Sequence, residues 1–252
     1  MWRRRFLQLA SCSALAACAP RPPPVGPRRT GAIRAVAFDL FTVFDPRTID
    51  ARVAEVVPGD PAPFTATWKT RLFEYCWIRA AANHHADFQA LVHHSLDYAA
   101  RAHGVALSEA ARQRLAAAPT ELAPWPDAVA TLHELRDRGL RLAPLANFSP
   151  SMIDTLLRHA GMRDLFDAQI STDAARTYKP DPRAYALAER RFELSREQIA
   201  FAAFGGWDAA GATWFGFPTF WVNRLGLPEE ELVHADGTGP DLVHFASWLA
   251  AR

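Results

Sequence analysis

The chain has 252 residues, 50% of them hydrophobic and 22% charged, which is enough for one large α/β domain or for a core with an insertion. The formal net charge is +1, and no basic tract stands out beyond the N-terminus, which argues against nucleic acid as a partner.

The first segment reads as an export signal. Arg3-Arg4-Arg5 is a positive start, and residues 6–17 form an apolar stretch too short to span a bilayer. Arg3-Arg4-Arg5-Phe6-Leu7 resembles a twin-arginine motif, and Leu15-Ala16-Ala17-Cys18 resembles a bacterial lipobox. Residues 1–17 are therefore expected to be removed and Cys18 to be lipidated, placing the domain on the periplasmic side of a bacterial membrane. A soluble periplasmic protein is the alternative. Residues 18–30 are rich in proline and read as a stiff tether. With Cys12 lost and Cys18 acylated, Cys76 stands alone, so no intramolecular disulfide is expected. Cys76 reads as a buried small hydrophobe rather than a nucleophile.

Residues 32–38 are a β-type apolar run that ends on Asp39. A block with helical spacing follows. One helix is expected over residues 64–82. Asp87 caps a second, over 88–103, and Gly104 ends it. Ser108 caps a third, over 108–118. Pro124 and Pro126 close the block.

From there the pattern alternates. Helices are expected over 127–138, 151–159, 182–192, 207–215 and 240–251. Strands are expected over 141–146, 168–171, 199–204 and 218–222. Such alternation implies a Rossmann-like, doubly wound parallel sheet covered on both faces, an α/β core. The core takes residues 31–46 and 125–252, and residues 47–124 form an inserted all-helical cap. The insertion leaves the sheet directly above Asp39.

A carboxylate at the C-terminal edge of a buried parallel strand sits where such sheets bind ligands, and it suits a nucleophile. Asn147, Lys179 and Asp208 fall at comparable positions. Lys179 would keep Asp39 ionised, and Asp208 would offset the lysine and position a water. His84-His85 and His93-His94 lie in the block without a cysteine or paired acid, so they read as cap surface or lining rather than a metal site.

On these residues the chain resembles the haloacid dehalogenase superfamily, and within it the L-2-haloacid dehalogenases, over residues 32–250. Phe38-Asp39-Leu40-Phe41 is similar to that family's nucleophile motif. Tyr178-Lys179-Pro180-Asp181-Pro182-Arg183-Ala184-Tyr185 is similar to its lysine motif, and Trp207-Asp208-Ala209-Ala210-Gly211 to its acidic motif. Residues 72–79 are similar to a cap helix that lines the substrate pocket.

The resemblance implies that Asp39 attacks C2 of a short 2-haloalkanoic acid, and that water near Asp208 and Lys179 hydrolyses the resulting ester. It implies no cofactor and no metal. Phe41, Lys69, Phe73, Phe88, Asn147, Tyr185 and Trp207 are the substrate-binding positions it carries over, with Lys69 in place of the family's arginine. Family members are commonly dimers, so a homodimer is a further expectation.

The chain also departs from the patterns it resembles. Superfamily phosphatases carry acids at the positions of Phe41 and Phe204, which argues against phosphoryl transfer here. A glycine between the aromatic residue and Thr42 is missing. Ala146, Ala203 and Gly205 stand where the dehalogenases carry polar residues. Ser149 is a candidate replacement for one lost hydroxyl. A catalytically silent envelope protein that binds a small carboxylate or a protein partner is the alternative function.

Overall fold

A computed structural model describes residues 31–252; the expected signal, the tether and Cys18 lie outside the described residues. The core is a sheet of six strands in the order β3-β2-β1-β4-β5-β6, all paired in parallel. The strands are β1 (Ala35–Phe38), β2 (Arg141–Ala146), β3 (Ile170–Ser171), β4 (Ile199–Ala203), β5 (Thr219–Val222) and β6 (Gly237–Gly239).

β1 is central and wholly buried. Its side chains alternate between two cores, as the two-residue period of a strand requires. Val36 and Phe38 join one cluster, where Phe38 meets Phe166 and Phe245 edge to face. Ala35 and Ala37 join the other, with Tyr185, Phe201 and Phe217. Small alanines on that face let helices α8 (Pro182–Phe192) and α9 (Gly206–Phe215) pack close to the sheet. Helices α6 (Ala128–Asp137), α7 (Pro150–His159) and α10 (Leu242–Ala250) complete the core. From β1 the sheet order runs one way to β2 and the other way to β4. The crevice at their C-terminal ends is therefore a topological switch point, the usual ligand position in such sheets.

The cap is inserted after a single helical turn, α1 (Leu40–Val43). It contains α2 (Arg47–Ala54), α3 (Ala62–Ala81), α4 (Phe88–Ala102) and α5 (Glu109–Ala117). Asp87 accepts from the backbone N–H groups of Gln89 and Ala90, and Ser108 from that of Ala111, so both side chains satisfy free donors at helix starts. α3 and α4 pack through Trp68 and Cys76 against Leu91, Val92 and Leu96, and Trp68 Nε1 donates to Val92 O. Cys76 is buried, and burial pushes its thiol well up, away from nucleophilic use.

The strands leaving for the cap and returning from it run side by side. Asp45 N donates to Ala123 O at 2.8 Å, and Trp125 N to Val43 O at 2.9 Å. The Trp125 ring lies 4.8 Å from the guanidinium groups of both Arg47 and Arg224. This junction joins cap and core.

Candidate active site

Asp39 stands at the switch point. Its backbone N–H continues the β1–β4 ladder to Ala202 O at 2.9 Å, so the sheet itself fixes where the side chain begins. The chain then turns at once into α1. Asp39 Oδ1 caps that turn, accepting from Phe41 N at 2.7 Å, and Thr42 Oγ1 donates back to Asp39 O at 2.7 Å. The loop that lacks a glycine is thus closed by a helical turn.

Lys179 Nζ reaches Asp39 Oδ2 at 2.6 Å and Asp208 Oδ2 at 2.7 Å. The lysine comes from the loop before α8, and Asp208 from the first turn of α9 just after β4. The strand-end logic of the sheet therefore brings all three to one point. Tyr185 OH donates to Asp208 Oδ1 at 2.7 Å from the next helix. Asn147 follows β2, and its Oδ1 accepts from Lys179 N at 2.9 Å and Thr172 Oγ1 at 3.3 Å, which leaves the amide NH2 as the donor it offers.

The electrostatics follow from burial. The Lys179 and Asp208 side chains are 1% and 0% exposed, and Asp39 12%. Burial alone would lower the Lys179 ammonium, but the charges of Asp208 and Asp39 outweigh it and hold the lysine above its usual range. Burial pushes the Asp208 carboxyl up to about 7, with the charge of Asp39 acting in the same direction and Lys179 opposing both. Burial and the Asp208 charge keep the Tyr185 hydroxyl protonated, so it remains a donor.

Asp39 and Lys179 open onto a cavity of about 20 Å³ lined also by Leu40, Phe41, Phe73, Phe88, Ala146, Asn147, Phe148 and Trp207. That is room for about one water. Trp207 packs on Phe73 at 5.6 Å and on Trp77 at 5.5 Å, and Phe88 stacks on Phe148 at 5.1 Å. Phe73, Trp77 and Phe88 belong to the cap; Phe148 and Trp207 belong to the core. Phe41 meets Phe204 edge to face at 5.7 Å.

Two of the substrate positions carried over from the resemblance do not reach this cavity. Lys69 Nζ is held by Asp50 Oδ1 at 2.6 Å, because α2 packs beside α3 and presents a carboxylate to it. Tyr185 is wholly buried behind the site, and its hydroxyl donates to Asp208. Ser149 is buried too, and its hydroxyl faces Ser151 Oγ at 3.2 Å. Of the histidines, His85 lies between cap and core, its Nε2 2.5 Å from Asp173 Oδ1. Among the described residues no three His, Cys, Asp or Glu side chains form a cluster suited to a metal.

Arg224 is a site-supporting residue that sequence reasoning missed. Its guanidinium donates to Thr42 O and to Asp127 Oδ1, both at 2.7 Å, bracing the turn that carries Asp39. Its distance in sequence hides the role, and an arginine just past a strand end is its only local sign.

The haloacid dehalogenase-like hydrolase family matches residues 33–216. The (S)-2-haloacid dehalogenase of Pseudomonas sp. (strain YL) is 41% identical over 210 residues, 83% of this chain and 89% of that protein. The crystal structure of the L-2-haloacid dehalogenase RSc1362 superposes with a TM-score of 0.85 at 38% identity, covering 87% of this chain and 100% of that one. The L-2-haloacid dehalogenase from Xanthobacter autotrophicus with chloropropionic acid covalently bound is similar too. Its TM-score is 0.81 at 31% identity, over 86% of this chain and 98% of that one.

Proposed function

The chain belongs to the haloacid dehalogenase-like hydrolase family, and we propose that it hydrolyses the carbon–halogen bond of a short 2-halogenated acyl compound, the class that includes the 2-haloacids. One observation carries the reading: the hydrogen-bonded row Asp39–Lys179–Asp208, whose first two members line an apolar cavity while the third lies buried behind them.

A carboxylate oxygen of Asp39 attacks the carbon that bears the halogen. The carbon–halogen bond breaks and halide leaves with its electron pair, giving an aspartyl ester. Water then adds to Cγ of Asp39, the ester bond breaks, and a 2-hydroxy product and a proton are released. Lys179 holds Asp39 aimed at the cavity, and Asp208 takes the proton from the water. Covalent catalysis divides one hard displacement into two easier steps. The relative that holds chloropropionic acid covalently supports this route.

Halide release from (S)-2-chloropropionate and (S)-2-chloropropionamide tests the reading, with Asp39→Asn as the blank. A single turnover in H2(18)O is expected to leave the label in Asp39 and an unlabelled hydroxyl in the product. Absence of halide from both compounds, or equal release by Asp39→Asn, would overturn it.

We propose further that the protein is exported and anchored through Cys18, on the support of the Arg3-Arg4-Arg5 run and the Leu15-Ala16-Ala17-Cys18 motif. Labelled palmitate is expected to enter the wild type and not Cys18→Ser.

A further inference from the structure

Among the described residues, the cavity is lined by a single cation, Lys179, and two carboxylates already hold it. Its Nζ lies 2.6 Å from Asp39 Oδ2 and 2.7 Å from Asp208 Oδ2, wholly buried, with the Phe201 ring 5.3 Å behind. With both carboxylates ionised the group carries one net negative charge. Two further cations stand near: Arg224, which Asp127 and the Thr42 carbonyl occupy, and Lys69, which lies one helical turn before Phe73 and so shares a face of α3 with a cavity-lining ring. Asp50 engages Lys69 at 2.6 Å.

The rest of the lining is apolar apart from Asn147. An anionic substrate entering here would shed its water among phenylalanine and tryptophan rings, beside an anionic nucleophile, with no free positive charge to compensate. A neutral amide sheds less hydration and meets no charge repulsion from the nucleophile. It still activates the neighbouring carbon–halogen bond, and one donor suffices for its oxygen. The Asn147 NH2, whose carbonyl oxygen is already occupied by Lys179 N and Thr172 Oγ1, is such a donor.

We propose that this site selects electrically neutral 2-halo acyl compounds, primary 2-haloamides being the type, over the corresponding 2-halocarboxylates, and that Asp50 sets this preference by holding Lys69 away from the cavity. The proposal rests on Asp39 being the nucleophile. The balance is that of any hydrolytic dehalogenation: 2-haloamide and water give 2-hydroxyamide, halide and a proton.

The test compares (S)-2-chloropropionamide with (S)-2-chloropropionate, each kcat/KM divided by the compound's rate of displacement by acetate ion in solution. Asp39→Asn serves as the blank and retains every cysteine that an alkylating substrate attacks. The amide is expected to lead by at least tenfold. Asp50→Asn, a change at a half-exposed side chain, is expected to raise the rate on the carboxylate at least threefold and leave the amide rate unchanged. A carboxylate preferred by the wild type overturns the selection and leaves the nucleophile standing. A ratio that Asp50→Asn does not move overturns the role of Asp50. Halide from neither compound above the Asp39→Asn blank overturns this proposal together with the reading beneath it.

Discussion

Asp208 has no solvent contact, and its carboxylate is divided between a lysine and a tyrosine, so its protonation is the most environment-dependent event in the site. Burial raises its proton affinity to a midpoint near 7, and only the ionised form can accept a proton from water. As pH falls through that midpoint the accepting form is lost, so ester hydrolysis is expected to slow about tenfold per unit on the acid side. A rate–pH profile flat from pH 9 down to 5 would contradict this. Tyr185 donates to the ionised form and so opposes the rise. Tyr185→Phe removes that donor, and the acid limb of the profile is expected to move to higher pH, a shift that loss of packing alone would not produce. Asp208→Asn is expected to lower kcat by about 10²–10⁴-fold, the usual worth of a general base. At this scale Asp39, Lys179 and Asp208 were legible in the sequence because each follows or precedes a readable strand or helix, and the sheet gathers such ends. Lys69 was not, because its direction is decided by Asp50, which comes from a helix packed beside it. The Tyr185–Asp208 contact was not legible either, since helical spacing does not say which carboxylate a buried hydroxyl meets.

Helices α8 and α9 hold the lysine loop and Asp208 in register, and Gly211 is where they touch. A Cβ on Gly211 would stand 2.5 Å from Tyr185 OH and 2.6 Å from Pro180 Cβ, one residue from Lys179. Neither neighbour has a free direction to move, since Tyr185 is wholly buried. Gly211→Ala is therefore expected to destabilise the fold by about 1–3 kcal/mol, as overpacking does, and to lower kcat at least tenfold by separating Asp208 from Lys179. Thermal unfolding and halide release measure the two effects, and an unaltered kcat would show that the contact does not position the site. Most elements were readable from the same kind of signal: Asp87 and Ser108 at helix starts, Gly139 and Gly216 in left-handed turns at helix ends, the latter two at φ 78° and 106°. Three elements were not. α1 arises because Asp39 caps it, and α2 has no strong periodicity of its own. β6 reads Gly-Thr-Gly, with two poor strand residues, and its glycines leave the space α10 needs: a Cβ on Gly237 would lie 2.6 Å from Trp248 Nε1.

The closed cap makes access a property of the whole molecule. A cavity of about 20 Å³ holds a water and not a three-carbon substrate, so the seam between cap and core must widen to admit one. The interruption of strand–helix alternation between residues 47 and 124 makes an insertion above Asp39 legible in sequence, but the tightness of its closure is not. That depends on side chains meeting across the seam: Phe73 and Trp77 on Trp207, Phe88 on Phe148, His85 beside Asp173, and Tyr178 OH donating to Ala86 O. The segments paired at Asp45–Ala123 and Val43–Trp125 are where cap and core are joined. Tyr178→Phe keeps the ring contacts with His85 and Phe88 and deletes one hydrogen bond across the seam. Such a bond is worth about 0.5–1.5 kcal/mol, which raises the open population about 2- to 13-fold. If opening limits substrate capture, kcat/KM is expected to rise by a common factor for amide and carboxylate alike, because the seam carries no charge selection. The Asp50→Asn variant is expected to do the reverse and change the ratio between the two compounds. A Tyr178→Phe variant that alters the ratio instead of both rates would place the selectivity in the closing of the cap rather than in the charge of the cavity.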